Sequence, residues 1–407
     1  MFQFFGDNSY AIYLWHWPLL VLIPFMVDDF KRPQKIIALA LTLALAVLTQ
    51  KLVEVRFRKF IDTSVVLSAP RFLVSGSLVL ALLSGAFYMN TTRVIDNARD
   101  VDTALAEVEE LVGEECFGAS ALSPDCTQQE TAATNYDVVA PAPIAAKTDK
   151  PVVYGDDCFA SQETNFKERP VCSYGDGKIK VALVGNSHAA QWVPALEPLA
   201  EEYGWTLDTY VANRCAIMGE AQEFDSREKT EGCAELGDWV TGQIEKEEYD
   251  LVISSNRQSL PVSGYDMDNT DEPAQKAYEK VLQQWTGTGA EVAVIRDTSW
   301  PGESLENVPD CVAANRNDLD ECTGAEEDWI PMDPQVDAVK SLDDPDVVQI
   351  DMNDQLCEDG RCYSVVGGIV AYWDHSHLSE TYAESLSQTV ESRLKKALDS
   401  KELFPAA

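Results

Sequence analysis

Three long apolar runs open the chain, and short apolar runs alternating with amphipathic ones close it. Tyr10–Val27 holds no charge over 18 residues. Ile36–Thr49 is an aliphatic run that reaches Val53 if Gln50 and Lys51 extend outward, and Phe72–Met89 is a third uncharged run. Each is near the roughly 17–25 residues that cross a bilayer as a helix, so residues 1–90 are read as three transmembrane helices. A secretory signal peptide would need a basic start before one apolar core, yet no Lys or Arg precedes Lys31. Lys51, Arg56, Arg58 and Lys59 gather between the second and third runs, with Arg71 at the mouth of the third. Basic loops stay in the cytoplasm, so the N-terminus is expected inside and everything after Met89 outside.

Helical spacing of Val94, Ala98, Val101, Leu105, Val108 and Leu111 predicts a stalk over Thr91–Val112. Residues 113–176 are rich in Pro, Ala, Thr and Asp without a clear period, as in an irregular lead-in. From 177 to 400 the texture changes. Lys180–Val184, Thr206–Ala212, Tyr249–Ser254, Glu291–Arg296 and Val347–Asp351 read as strands. Ala189–Tyr203, Ala234–Glu247, Pro273–Trp285 and Ser379–Leu398 read as helices between or after them. Strands alternating with helices predict an α/β domain around a mostly parallel sheet. Its chemistry belongs at the carboxyl ends of the strands.

Charge separates the same two regions. The whole chain has a formal charge of -37, from 31 Lys+Arg against 68 Asp+Glu. Residues 1–90 hold 8 bases and 5 acids, a net of +3; the remainder holds 23 against 63, a net of −40. Acidity of this degree excludes nucleic acid as a partner, because counterion release needs a basic footprint. All ten cysteines lie in the acidic part, with no Cys-x-x-Cys spacing to suggest a metal or a thioredoxin-like site. An even number of cysteines outside the membrane predicts disulfides. Pairing of neighbours (Cys116-Cys126, Cys158-Cys172, Cys215-Cys233, Cys311-Cys322, Cys357-Cys362) would clip one loop each, although sequence alone leaves the connectivity open.

The four histidines narrow the chemistry. His16 sits among Trp15, Trp17 and Pro18, either lining an acyl pathway or holding an aromatic-belt position. Val184-Gly185-Asn186-Ser187-His188 falls where the first strand ends and its helix begins. A serine there projects its hydroxyl at the sheet edge, beside helix N–H groups that favour a developing oxyanion; a plain helix cap is the alternative. Trp373-Asp374-His375-Ser376-His377-Leu378-Ser379 precedes the last helix. Its Asp-x-x-His spacing lets Asp374 orient His377 as the base for Ser187. His188 either contacts substrate or packs the helix start, and His375 is expected to be exposed beside the base. Trp192, Tyr372 and Trp373 suit a sugar platform or core packing equally.

The order Gly-Asn-Ser-His, then Asp-x-x-His-Leu-Ser before the final helix, resembles the SGNH (GDSL-like) hydrolase superfamily. More specifically it resembles the SGNH domain fused to bacterial membrane acyltransferases of the acyltransferase-3 family. Gly6–Pro18 looks like a late transmembrane segment of that family, and Val53–Arg58 like its following cytoplasmic end. Cys215, the Val308–Cys311 stretch and Cys357–Cys362 running into Tyr372–Ser379 extend the likeness. The resemblance implies a three-layer α/β/α, flavodoxin-like domain with a Ser187-His377-Asp374 acyl-transfer site. It implies a bacterial cell-membrane location and O-acylation, commonly O-acetylation, of a cell-surface glycan or glycolipid. The ultimate donor would be cytoplasmic acyl-CoA (acetyl-CoA), delivered through the membrane domain. Asn186 stands where the family motif usually has Asp. The family's oxyanion Asn is not clearly marked, so Asn256, Arg257 and Gly219 are the candidates for oxyanion or substrate contacts. The family's membrane domain has about ten helices, and only the last two and a linker helix are legible here. The chain is therefore expected to need a separate partner for the early helices, or else to act as a membrane-anchored extracellular esterase or deacetylase.

Overall fold

The computed structural model describes residues 8–17, 32–51, 84–85, 103–106, 108, 116–123, 126, 139–398 and 400–405. The chain divides into two compact units, Met1–Val94 and Ile95–Ala407. In the first, residues 8–17 and Arg32–Thr49 are helical, so the second apolar run forms a helix as expected. The Trp15 indole donates to Thr49 Oγ1 at 2.9 Å, and His16 Nδ1 lies 2.7 Å from the Tyr13 carbonyl oxygen. Among the described residues no helix is long and apolar enough to cross a membrane. Most of the expected spans Tyr10–Val27 and Phe72–Met89 lie outside the described residues.

Among the strands of the second unit, in chain order, are β1 (Phe159–Ala160), β2 (Cys172–Tyr174), β3 (Ile179–Asn186), β4 (Trp205–Ala212), β5 (Leu251–Ser255), β6 (Glu291–Ile295), β7 (Gly324–Ala325) and β8 (Val347–Ile350). The main sheet runs β1-β4-β3-β5-β6-β8, with β2 also on β4. Every pairing in it is parallel except that of β2 with β4. β7 belongs to a small antiparallel sheet with Arg361–Cys362 and Cys357–Glu358. The long strands β4-β3-β5-β6-β8 follow a doubly wound order. Strand order reverses between β3 and β5, which leaves a crevice at their carboxyl ends. β3 and β5 pair side by side there, from Val181↔Leu251 to Gly185↔Ser255.

Alternation along the strands builds two cores, one on each face of the sheet. Val181, Leu183, Leu251 and Ile253 point toward Leu196 and Leu199 and the C-terminal Val390 and Leu394. Ala182, Val184, Val252 and Val294 point toward Val240 and Ile244, Leu282 and Trp285. The covering helices are capped by side chains: Ser226 accepts from Lys229 N, and Ser379 from Tyr382 N.

Several expected boundaries move. The helix expected from Ala234 begins at Arg227, after the Ser226 cap, and runs to Glu247. The expected Ala189–Tyr203 helix is two pieces, Ser187–Ala190 and Val193–Tyr203. The closing helix is likewise divided into Glu380–Ser385 and Ser387–Leu398. Pro334–Leu342 is a helix with no counterpart in the sequence reading. The lead-in expected before residue 177 contributes to the layered domain, because β1 and β2 complete the sheet edge on β4. Val108, in the expected stalk, is buried in the core, so this segment packs onto the domain; most of Thr91–Val112 lies outside the described residues. All five neighbour pairs of cysteines are disulfide-bonded.

Candidate active site

The carboxyl end of β3 is locked to that of β5 before any functional side chain is placed. Gly185 lies so close to β5 that a Cβ there would come within 2.1 Å of the Ser255 carbonyl oxygen. Asn186 then fastens the two loops. Its Oδ1 accepts from His188 N at 3.0 Å and from Arg257 N at 3.2 Å, while its Nδ2 donates to the Arg257 carbonyl at 2.7 Å. An aspartate could accept the first two bonds but not supply the third. The departure from the family's usual Asp therefore adds a hydrogen bond at this point. Ser187 follows as the first residue of the Ser187–Ala190 turn.

On the opposite side, the loop before the last helix presents Asp374 and His377. Asp374 Oδ1 accepts from the backbone N–H groups of Ser376 at 2.7 Å and His377 at 2.8 Å, and Oδ2 lies 2.8 Å from His377 Nδ1. Burial opposes ionisation of this carboxyl, but the His377 hydrogen bond and the two N–H donors prevail and hold it at about 2. With the carboxylate at Nδ1, the imidazole keeps Nε2 as its acceptor. Trp373 stacks on the His377 ring, with centroids 5.0 Å apart and planes 11° apart, and the Lys150 ammonium sits 4.2 Å from the centroid of the indole.

Ser187 and His377 line one cavity of about 580 Å³. His377 Nε2 is buried and has no hydrogen-bond partner. Ser187 and His377 are therefore not hydrogen-bonded to each other, a contact that in such sites commonly tightens when substrate binds. His375 is exposed at the rim, as expected.

His188 forms a second imidazole–carboxylate pair behind the first. Its Nδ1 lies 2.6 Å from Asp297 Oδ1, both residues being buried, and its ring centroid is 4.8 Å from that of His377. Burial drives the His188 pKa down, against the pull of Asp297. Burial acts to raise Asp297, but His188 and the Arg257 guanidinium, 3.4 Å away, hold it below the ordinary carboxylate value. Arg257 also lies over Trp300 at 4.1 Å from the ring centroid.

Two of the proposed oxyanion positions are corrected. Asn256 is buried and its side chain is committed to the scaffold: Oδ1 accepts from Asn186 N and Ile217 N, and Nδ2 donates to Ser254 Oγ and Gln335 Oε1. It has no donor left for an oxyanion. Gly219 lines a separate cavity with Asp238 and Lys280, between the helices Arg227–Glu247 and Asp271–Thr286. Of the three aromatic candidates, Trp192 and Tyr372 are fully buried core residues, the latter bonded through its hydroxyl to Ser299 at 2.6 Å; only Trp373 faces the cavity. The residues missed are Asp297, Trp300, Tyr154, Asn213 and Arg214. Asp297 and Arg214 each follow a strand's carboxyl end by two residues, where the rule for such sheets already directs attention. Among the described residues no group of His, Cys, Asp and Glu could hold a metal ion.

A doubly wound α/β domain whose crevice holds a serine opposite an Asp–His pair is the class that fold and site define. Residues 157–392 match the family described as SGNH domain (fused to AT3 domains). The match covers more than half of the chain, and the chain belongs to that family. The matched range begins before β1, in keeping with a sheet that starts in the expected lead-in. Among solved structures the chain is similar to a lipopolysaccharide acetyltransferase periplasmic domain from Salmonella ser. Paratyphi A. That likeness has 13% sequence identity, covers 64% of this chain and 98% of that one, and has a TM-score of 0.44. No curated protein matches the sequence.

Proposed function

We propose that this chain is the outer, acyl-transferring module of a membrane O-acyltransferase, with Ser187 as nucleophile, His377 as general base and Asp374 as the group that orients it. The observation that carries the reading is the 2.8 Å Asp374–His377 contact, which leaves Nε2 without a partner in the cavity that Ser187 also lines. Membership of a family fused to AT3 domains supports acyl chemistry over other uses of such a site. In this mechanism Ser187 Oγ attacks the acyl carbonyl while Nε2 takes its proton, and the Asp374 carboxylate stabilises the imidazolium. The proton passes to the leaving group, and an acyl-Ser187 remains. A sugar hydroxyl, deprotonated by the same Nε2, then attacks it and regenerates the serine. Asn213 lines the cavity, and its Oδ1 is taken by Gln162 Nε2 at 2.6 Å, so its Nδ2 hydrogens are the donors assigned to the oxyanion.

The acceptor in this reading is a cell-surface glycan or glycolipid, with Trp300 and Trp373 as flat surfaces for sugar rings. Acetyl-CoA is the ultimate donor, through acyltransferase-3 membrane helices supplied by this chain or a partner. Five disulfides support an oxidising location for the domain, outside the cytoplasm. The test is turnover of p-nitrophenyl acetate by the full chain, with and without glycan acceptors. Release of nitrophenol that requires Ser187, with acetyl appearing on sugar, supports transfer. Acetate as the sole product at saturating acceptor would favour the esterase reading. Full release by Ser187→Ala would overturn both.

A further inference from the structure

We infer that the acceptor taken by this cavity is an anionic sugar, and that Arg214 binds its negative group. The inference rests on the acyl-transfer reading above and adds the charge class of the substrate. The chain is strongly acidic, yet no Asp or Glu lines the cavity among the described residues. Two arginines do, Arg257 and Arg214. Arg257 is committed: it is half-buried, ion-paired with Asp297 at 3.4 Å and stacked on Trp300. Asp374, another acid behind the site, is turned to His377. Arg214 is different. It is exposed, and among the described residues no carboxylate lies within ion-pair distance of it. The nearby Asp225, which feels its charge, is bridged instead to Lys229 at 2.8 Å.

Arg214 is also held in place. Its backbone adopts φ 59°, a left-handed conformation that side-chain-bearing residues seldom occupy. The next residue, Cys215, is tied to Cys233, and Ala216 N is held by Gln222 Oε1 at 3.1 Å. The guanidinium donates through Nη2 to the Ser259 carbonyl on the facing loop, at 3.3 Å, which sets it across the cavity wall. A neutral acceptor gains at most an ordinary hydrogen bond from this fixed cation, and a cationic one is repelled by it. A carboxylate or phosphate on the sugar pairs with it through a charge-assisted hydrogen bond. The acidic surface as a whole repels such a ligand, but that field is screened beyond about 8 Å in physiological salt, so the cation within the cavity decides.

The experiment is calorimetric binding to the full chain in detergent, which needs no turnover and so fails independently of the Ser187 assignment. The probes are glucuronate, glucose 6-phosphate and glucose. Binding of either charged sugar at least about tenfold tighter than glucose is expected, and the stronger of the two distinguishes a carboxylate from a phosphate. Arg214→Gln should cut that preference to about unity, and Arg214→Lys should keep part of it. Equal binding of all three sugars, binding of none, or a preference unchanged in Arg214→Gln with the fold intact by circular dichroism would overturn the inference.

Discussion

Replacing Asp374 by Asn keeps the shape of the site and removes one charge, and its cost follows from the geometry. In Asp374→Asn the side-chain amide oxygen can still accept the N–H groups of Ser376 and His377, so the loop is retained. The charge that stabilises the imidazolium formed on His377 during turnover is lost. In the fold, the Asp374 carboxyl is held at about 2 from an ordinary 3.8, so the ionised form is favoured by nearly two pH units. At 1.36 kcal/mol per unit this corresponds to about 2 kcal/mol of stability at neutral pH. The sign is that of a depressed acid: the contribution is present above pH 4 and disappears as pH falls toward 2. Urea denaturation of the full chain, followed by tryptophan fluorescence, should show the variant about 2 kcal/mol less stable at pH 7 and equal to the native protein near pH 2. In the same variant the amide can donate to Nδ1 and turn the imidazole to the wrong tautomer, so ester turnover should fall by about 10⁴-fold. A variant with native turnover, or one equally destabilised at both pH values, would refute this account of Asp374.

Other consequences follow from the same contacts. Asn213→Ala should lower turnover by about 10²–10³-fold with little change in melting, if its amide meets the oxyanion; an effect on KM alone would count against that role. Reduction should lower the unfolding free energy by several kcal/mol, since loops of 5 to 18 residues lose their closures, and coincident denaturation curves with and without reductant would show the disulfides to be dispensable. Glu380 is pushed up to about 7 by burial and by Asp149 and Glu384. A raised acid destabilises the fold as pH climbs from its unfolded value through 7, so Glu380→Gln should stabilise the protein at pH 8 and leave it unchanged at pH 4, as read by thermal melting.

Much of the α/β domain was legible from sequence because buried parallel strands such as Val181–Val184 are continuous apolar runs, and the helices between them carry clear faces. The Asp374–His377 contact and the place of Ser187 at the end of β3 were legible for a related reason. Each stands in a short local motif, and the Asp374–His377 contact spans three residues. What escaped was assembled across the fold. Asp297 and His188 meet only because β3 and β6 both end at the crevice, and 109 positions separate them. Asn256 looked like a donor from its place after β5, but its Nδ2 hydrogens are spent on Ser254 Oγ and Gln335 Oε1, the latter 79 positions away in the chain. The Pro334–Leu342 helix was hidden because it is short and lies in an acidic, proline-interrupted stretch. Its start is fixed by Asp333, which accepts from Gln335 N and Val336 N.

The central claim is that an acyl group passes through Ser187. Intact-mass and peptide mass spectrometry of the full chain, quenched in acid during turnover of p-nitrophenyl acetate, tests it most directly. One acetyl group on the peptide containing Ser187, absent from Ser187→Ala and discharged on adding the acceptor glycan, is the predicted result. An acetyl group on another residue, or full turnover by Ser187→Ala, would contradict it.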